Sequence, residues 1–195
     1  MNRMLRIFIS SAQKEFAAER RAIRTYIESD ALLRRFFEVF LFEDLPASGR
    51  RADQVYLAEV DRCDVYLGLF GNDYGFEDKT GISPTEREFD RATAAGKERL
   101  IFVKGSDDFA CHPKMQALVR KAGAQLIRRR FSGIPDLTAA IYASLVDHLA
   151  AQGMVQNRHF EDQPCLGANL DFLDPRSARA FVARAREERQ FPLST

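Results

Sequence analysis

The sequence predicts an α/β domain over residues 1–152, with a five-stranded parallel sheet and helices on both faces. Three observations lead there. Short apolar runs recur along the chain, and amphipathic helical patterns fill the gaps between them. The runs are also nearly continuous in apolar character, as strands covered on both faces are. A helical crossover of fixed hand returns the chain to the same sheet after each strand, which gives a three-layer sandwich. The chain has 195 residues, 46% of them hydrophobic and sixteen of them phenylalanine, enough apolar material for such a core.

Each element can be read in turn. The first strand is expected at Leu5 to Ile9, and Phe16, Ile23 and Ile27 mark the helix behind it. A second strand follows at Phe36 to Phe42, and then a helical pattern from Val55 to Val60. Val65 to Phe70 reads as the third strand; Phe89 and Ala92 mark the third helix, with Gly96 where a C-terminal glycine belongs. The fourth strand is expected at Leu100 to Val103, followed by a helix carrying Met115, Leu118, Val119 and Ala122. The fifth is expected at Ala124 to Ile127, before a last helix carrying Leu137, Ile141, Leu145 and Leu149. Pro113 and Pro135 stand where first-turn prolines are tolerated. After Gln152 the pattern changes. Residues 153–195 read as a linker and a helical tail, with Asp174-Pro175 opening an Arg/Ala/Glu-rich stretch, leading towards a further C-terminal domain.

Charge and special residues exclude several classes. The formal charge is +1, from 29 basic against 28 acidic residues, so no global field favours nucleic acid. The basic clusters Arg34-Arg35 and Arg128-Arg129-Arg130 are few, and three arginines on an expected sheet edge protect against edge-to-edge association. No apolar stretch approaches the roughly eighteen residues of a membrane span, and the first apolar run is too short and too charged for a signal peptide, so a cytoplasmic protein is expected. Cys63, Cys111 and Cys165 are far apart and read as reduced thiols. His112, His148 and His159 are scattered, and no metal site is expected.

In an open sheet of this kind a ligand lies beyond the carboxyl ends of the strands, where the strand order reverses. If the strand order is 2-1-3-4-5, that crevice falls between strands one and three. Their carboxyl ends carry Ser10-Ser11 and Gly71-Asn72-Asp73-Tyr74-Gly75. Glycines at 71 and 75 permit a left-handed backbone, and the serines precede a helix whose N-terminus attracts anions. Ser10, Ser11, Gly71, Asn72, Asp73 and Tyr74 are therefore candidate ligand-binding residues. The same residues also read as a cap on the first helix, at Ser11, and a plain turn at 72–75.

The stretch from Gly81 to Asp90 says more. Ser83, Pro84 and Glu86 have the spacing of a helix cap, a first-turn proline and the closing acid of a capping box. Glu86 thus has a structural task, and it stays a ligand-binding candidate beside the crevice. Glu88 falls outside the box, in or near the first turn, where the helix dipole favours its ionised form. A carboxylate there can attack or stabilise an oxocarbenium-like sugar centre, which makes Glu88 the candidate catalytic residue. The plainer alternative is a solvent-facing glutamate beside Arg87 or Arg91.

Three blocks then carry a family resemblance: Arg6-Ile-Phe-Ile-Ser-Ser11, Asp61-Arg-Cys-Asp-Val-Tyr-Leu-Gly-Leu-Phe-Gly-Asn-Asp-Tyr-Gly75 and Gly81-Ile-Ser-Pro-Thr-Glu-Arg-Glu-Phe89. In this order, and with Gly96-Lys97, they resemble the signature of a bacterial family, domain of unknown function 4062, related to TIR domains. The resemblance implies the flavodoxin-like fold, with the strand order 2-1-3-4-5, that TIR domains share with nucleoside 2-deoxyribosyltransferases. Those proteins carry a catalytic glutamate about nine residues before a Gly-Lys pair, and Glu88 is the residue nine before Lys97. The tail, with Glu161 to Ala168 and Leu173-Asp-Pro175, resembles the connector that leads into a Schlafen-type AlbA-like domain in bacterial transcriptional regulators.

The implied function is a nucleotide-recognising sensor or effector module of a regulatory or defence protein. It would act on an N-glycosidic bond, as an NAD glycohydrolase or in the manner of a deoxyribosyltransferase, with NAD or another nucleotide as ligand. The other reading is a non-catalytic module that works by self-association or by binding a partner protein. Whether Glu88 faces a polar pocket beside Ser10 and Asp73, or the outer surface, separates the two.

Overall fold

A computed structural model describes residues 3–44 and 52–155. The strands are β1 (Leu5–Ser11), β2 (Phe37–Phe40), β3 (Val65–Phe70), β4 (Glu98–Lys104) and β5 (Arg128–Phe131). The helices are α1 (Ala17–Ser29), α2 (Ala52–Arg62), α3 (Pro84–Ala94), α4 (Pro113–Gly123) and α5 (Ile134–Ala151). All strand pairs are parallel, as the alternation predicts, and the sheet order is β2-β1-β3-β4-β5, the one the family resemblance implies. The tail from residue 156 onward, with the reading placed on it, lies outside the described residues.

Both faces of the sheet are covered. On one side α1 and α5 pack together. On the other, Val60 of α2, Phe89 and Ala92 of α3 and Met115, Leu118, Val119 and Ala122 of α4 join Phe8, Tyr66, Phe70, Ile101 and Val103 of the sheet in one buried cluster. Every residue of β3, the central strand, is buried. Successive side chains of a strand point to opposite faces, so Phe8 and Ser10 of β1 share the side of α3 while Ile9 and Ser11 share the side of α1.

Two expectations need correction. The fifth strand is Arg128–Phe131, later than the apolar run Ala124 to Ile127. That run closes α4 instead: the N–H of Leu126 and of Gln125 donate to Ala122 O, and Ile127 is fully exposed. An edge strand needs apolar residues on its buried side only, and here Phe131 alone is buried. The second strand ends at Phe40, and Phe42–Asp44 form a short 3-10 turn. Among the described residues no helix is long and apolar enough to cross a membrane. Cys63 and Cys111 are free thiols, and burial pushes Cys63 up to about 11; Cys165 lies outside the described residues.

Candidate functional site

The strand order reverses between β1 and β3, and a cavity of about 510 Å³ opens there at the carboxyl end of the sheet. β1 contributes Ser11, and the loop behind it contributes Ala12, Gln13 and Lys14. The loop after β3 contributes Asp73, Gly75 and Phe76, and α3 contributes Pro84, Thr85 and Glu88. Phe8, Phe42 and Tyr56 add aromatic walls.

Glu88 reaches this cavity because of its helical phase. The buried residues of α3 are Thr85, Glu88, Phe89 and Ala92, a stripe at i, i+3, i+4 and i+7 that faces the sheet. A carboxylate on that stripe is taken out of water: Glu88 is 7% exposed. Ser10, its neighbour on β1, donates its hydroxyl hydrogen to Glu88 Oε2. Burial raises the Glu88 carboxyl from its ordinary 4.5 to about 7, against the Ser10 hydrogen bond and the positive charge of Arg20, which both lower it. The helix dipole was expected to favour the ionised form, and desolvation outweighs it. Tyr66 on β3 belongs to the same group. Its phenol is pushed well above the ordinary value by burial and by the Glu88 charge, while Ser10 eases it.

Arg20 closes the α1 side. It is 2% exposed, and its Nη1 donates to Ile9 O at 2.8 Å and to Ser11 Oγ at 3.2 Å. Nε and Nη2 grip Glu43 of the 3-10 turn in a two-pronged pair at 2.8 and 2.7 Å. Ser11 is therefore held by Arg20 and does not cap α1, whose cap position is Phe16 with no side-chain bond. The surface alternative for Glu88 also fails on its partners, because Arg87 pairs with Asp78 and Arg91 with Asp61.

The structure places Ser11, Asp73 and Glu88 on the cavity wall, with Ser10 behind Glu88 as its hydrogen-bond donor, and leaves four other candidates outside the cavity. Gly71 lies against the carboxylate of Glu15, and its φ is not positive, unlike that of Gly75 at +84°. Asn72 faces α4: its carbonyl accepts the N–H of His112 at 2.8 Å, and its Oδ1 accepts from Cys111 Sγ at 3.5 Å. Tyr74 is buried and stacks on His112 with ring centroids 5.7 Å apart. Its hydroxyl accepts the N–H of Ser83 at 3.3 Å and donates to Glu86 Oε2. Glu86 also meets Lys121 at 3.1 Å. The capping box is thus half formed: Ser83 Oγ accepts from Glu86 N at 3.3 Å, while Tyr74 takes the return bond that a box acid would make. Arg20, Thr85 and Tyr66 escaped the sequence reading. Arg20 carried a usable signal, since it falls in helical phase with Ile23 and Ile27 on the buried side of α1. Among the described residues no group of three or more His, Cys, Asp or Glu could hold a metal ion.

A family model described as "Domain of unknown function (DUF4062)" matches residues 6–146. No curated protein gives a significant sequence match. Among solved structures, the Clostridium botulinum CMP N-glycosidase is similar at a TM-score of 0.45 and 13% identity, covering 72% of this chain and 98% of that one. Oxidised flavodoxin 1 from Bacillus cereus is similar at a TM-score of 0.39 and 15% identity, covering 76% of this chain and 99% of that one. At such values the likeness bears on neither ligand nor chemistry.

Proposed function

The chain belongs to this family of unknown function, and from the geometry of its crevice we propose that it binds a nucleoside or nucleotide and cleaves the N-glycosidic bond, with Glu88 as the attacking carboxylate. The observation that carries the proposal is the position of Glu88: buried on the sheet-facing stripe of α3, hydrogen-bonded by Ser10, and lining the switch-point cavity. A glutamate with no task has no reason to lose its water there, and strongly perturbed carboxyls gather at functional sites.

The cavity suits such a ligand. Its volume lies in the range of small-molecule sites, on the order of 300–1,000 Å³, and Phe42, Tyr56 and Phe76 offer faces against which a base can stack. Glu88 in its ionised form attacks the anomeric carbon as the carbon–nitrogen bond breaks and the bonding pair leaves with the base. Water then opens the glycosyl ester and restores the carboxylate. Asp73, the other carboxylate at the cavity wall, is the residue available to take the proton of that water and to pass it to the departed base anion, or to solvent where the base leaves neutral as nicotinamide does from NAD. Ser10 supports the charged form of Glu88 before attack.

Base release is the test. The protein is incubated with NAD, with nucleosides and 2-deoxynucleosides, and with nucleoside monophosphates, beside a Glu88→Gln variant, and free base is separated by chromatography. Release by the wild type that disappears in the variant is the expected result. Wild-type protein that releases no base from any of these, while its fold is intact, sinks the enzymatic reading and leaves a non-catalytic interaction module.

A further inference from the structure

We infer that Glu15 is a positioning residue of this crevice: its carboxylate latches the loop after β1 to the loop after β3, so that two walls of the cavity are held as one piece. Its consequence for turnover rests on the function proposed above; the latch itself does not.

Glu15 Oε1 accepts the N–H of Asn72 at 2.9 Å and Oε2 accepts the N–H of Asp73 at 2.9 Å. Consecutive backbone N–H groups turned to one side make a concavity that binds anions. Here the anion comes from the chain itself. The stretch that carries Glu15 also carries Ala12, Gln13 and Lys14 of one wall, and the loop it grips carries Asp73, Gly75 and Phe76 of the other. The gripped loop is anchored in turn, because Asn72 O accepts from His112 N at the start of α4. The latch therefore joins the wall after β1 to a loop that is itself fixed to the start of α4.

Gly71 gives a second, independent sign. A Cβ at this position would come within 2.2 Å of Glu15 Oε1 and 2.6 Å of Glu15 Cδ. The backbone there does not need glycine for its φ, so glycine serves the close approach of the carboxylate. The clash would fall on the end of a flexible side chain, so Gly71→Ala should fold and simply expel Glu15.

Two variants test the inference, Glu15→Ala and Gly71→Ala, read by amide hydrogen exchange at Asn72 and Asp73 and by the kinetics of base release. Both should speed exchange at these two amides. If the open loops leave about a tenth of molecules competent to bind, KM rises about tenfold, with kcat changed much less. Acetate or formate should restore slow exchange and KM in Glu15→Ala, where the carboxylate's place is empty. Neither should help Gly71→Ala, where the new methyl group fills it. Unchanged exchange in both variants, or no response of Glu15→Ala to acetate beside a chloride control, overturns the latch. Tighter binding of a nucleoside monophosphate by Glu15→Ala also overturns it, since the two amides would then be a phosphate site that Glu15 blocks. If the wild type releases no base, exchange and its rescue still decide the latch, and the glycosidic reading fails alone.

Discussion

Burial and ionisation make opposite demands at residue 88. Desolvation holds the Glu88 carboxyl near 7 in the folded chain against 4.5 ordinarily, so between those values the folded state binds a proton that the unfolded state has released. Stability then falls as pH rises through that window, by about 3 kcal/mol over the whole of it at 1.36 kcal/mol per unit. Below pH 4.5 both states are protonated and the cost vanishes. Glu88→Gln removes the titration. Urea unfolding should find the variant more stable than the wild type at pH 8, by up to about 3 kcal/mol, with the two converging towards pH 4.5. A gap that does not change with pH would mean that Glu88 is not the buried titrating group. Any base release that needs the carboxylate should run the other way, rising through pH 7 to a plateau. Ser10→Ala, which deletes the hydroxyl donor to Glu88, should move that rise to higher pH. Glu88 was legible in the sequence because Ser83 and Glu86 account for the helix start and leave it without a structural task. Its depth stood open between crevice and surface, and it is the buried stripe of Thr85, Glu88, Phe89 and Ala92 that decides it, since a charge on the stripe of a helix is a charge facing the core. Tyr66 was not legible, because a tyrosine inside a buried strand looks like any other large core residue until Ser10 and Glu88 are seen beside it.

Elements show where local chemistry decides and where the third dimension does. The start of α3 reads directly from Ser83 and Pro84, yet the bond back to Ser83 N comes from Tyr74, nine residues earlier in the chain. No local pattern announces such a partner. Tyr74→Phe should therefore act as a lesion of the helix start. Ser83 is fully buried, so its N–H loses its partner without gaining water, and the cost should be about 1–3 kcal/mol in denaturant unfolding. The pH dependence of base release should stay where it is, because Tyr74 lies outside the cavity. A shifted profile would return Tyr74 to the site. Phe76 is the converse case. Its side chain is 79% exposed at the cavity mouth, so Phe76→Ala removes little buried surface and should leave unfolding unchanged. Its ligand binding should weaken by about 1–3 kcal/mol, the worth of one base stacked on an aromatic ring, as read by calorimetry. The displaced fifth strand has a physical reason as well. An apolar run predicts burial, yet here Ala124 and Ile127 are exposed and only Leu126 packs in part against the core, at the end of α4, while the edge strand itself is Arg128-Arg129-Arg130 with one buried phenylalanine.

At the scale of the whole molecule, five alternations of strand and helix give the parallel sheet, and the strand order that the family resemblance adds fixes the switch point between β1 and β3, with Ser10-Ser11 at its edge. What the alternation cannot give is the coupling between layers, because it depends on side chains that meet only when the sandwich closes. Arg20 is that coupling. From α1 it holds the end of β1 through Ile9 O and Ser11, it holds the turn after β2 through Glu43, and its charge acts on Glu88 from the other side of the sheet. The pairing with Glu43 partly neutralises the guanidinium, so the two partners should move Glu88 in opposite directions. Arg20→Met deletes a positive charge and should raise the Glu88 titration midpoint above its value near 7. Glu43→Gln leaves the buried guanidinium less compensated, strengthens its pull on the Glu88 carboxylate and should lower the midpoint. Carbon-13 NMR of the glutamate side-chain carboxyls, assigned with Glu88→Gln, reads both. If both variants moved the midpoint the same way, loosened packing rather than charge would govern Glu88, and the electrostatic link from α1 through the sheet to α3 would be lost.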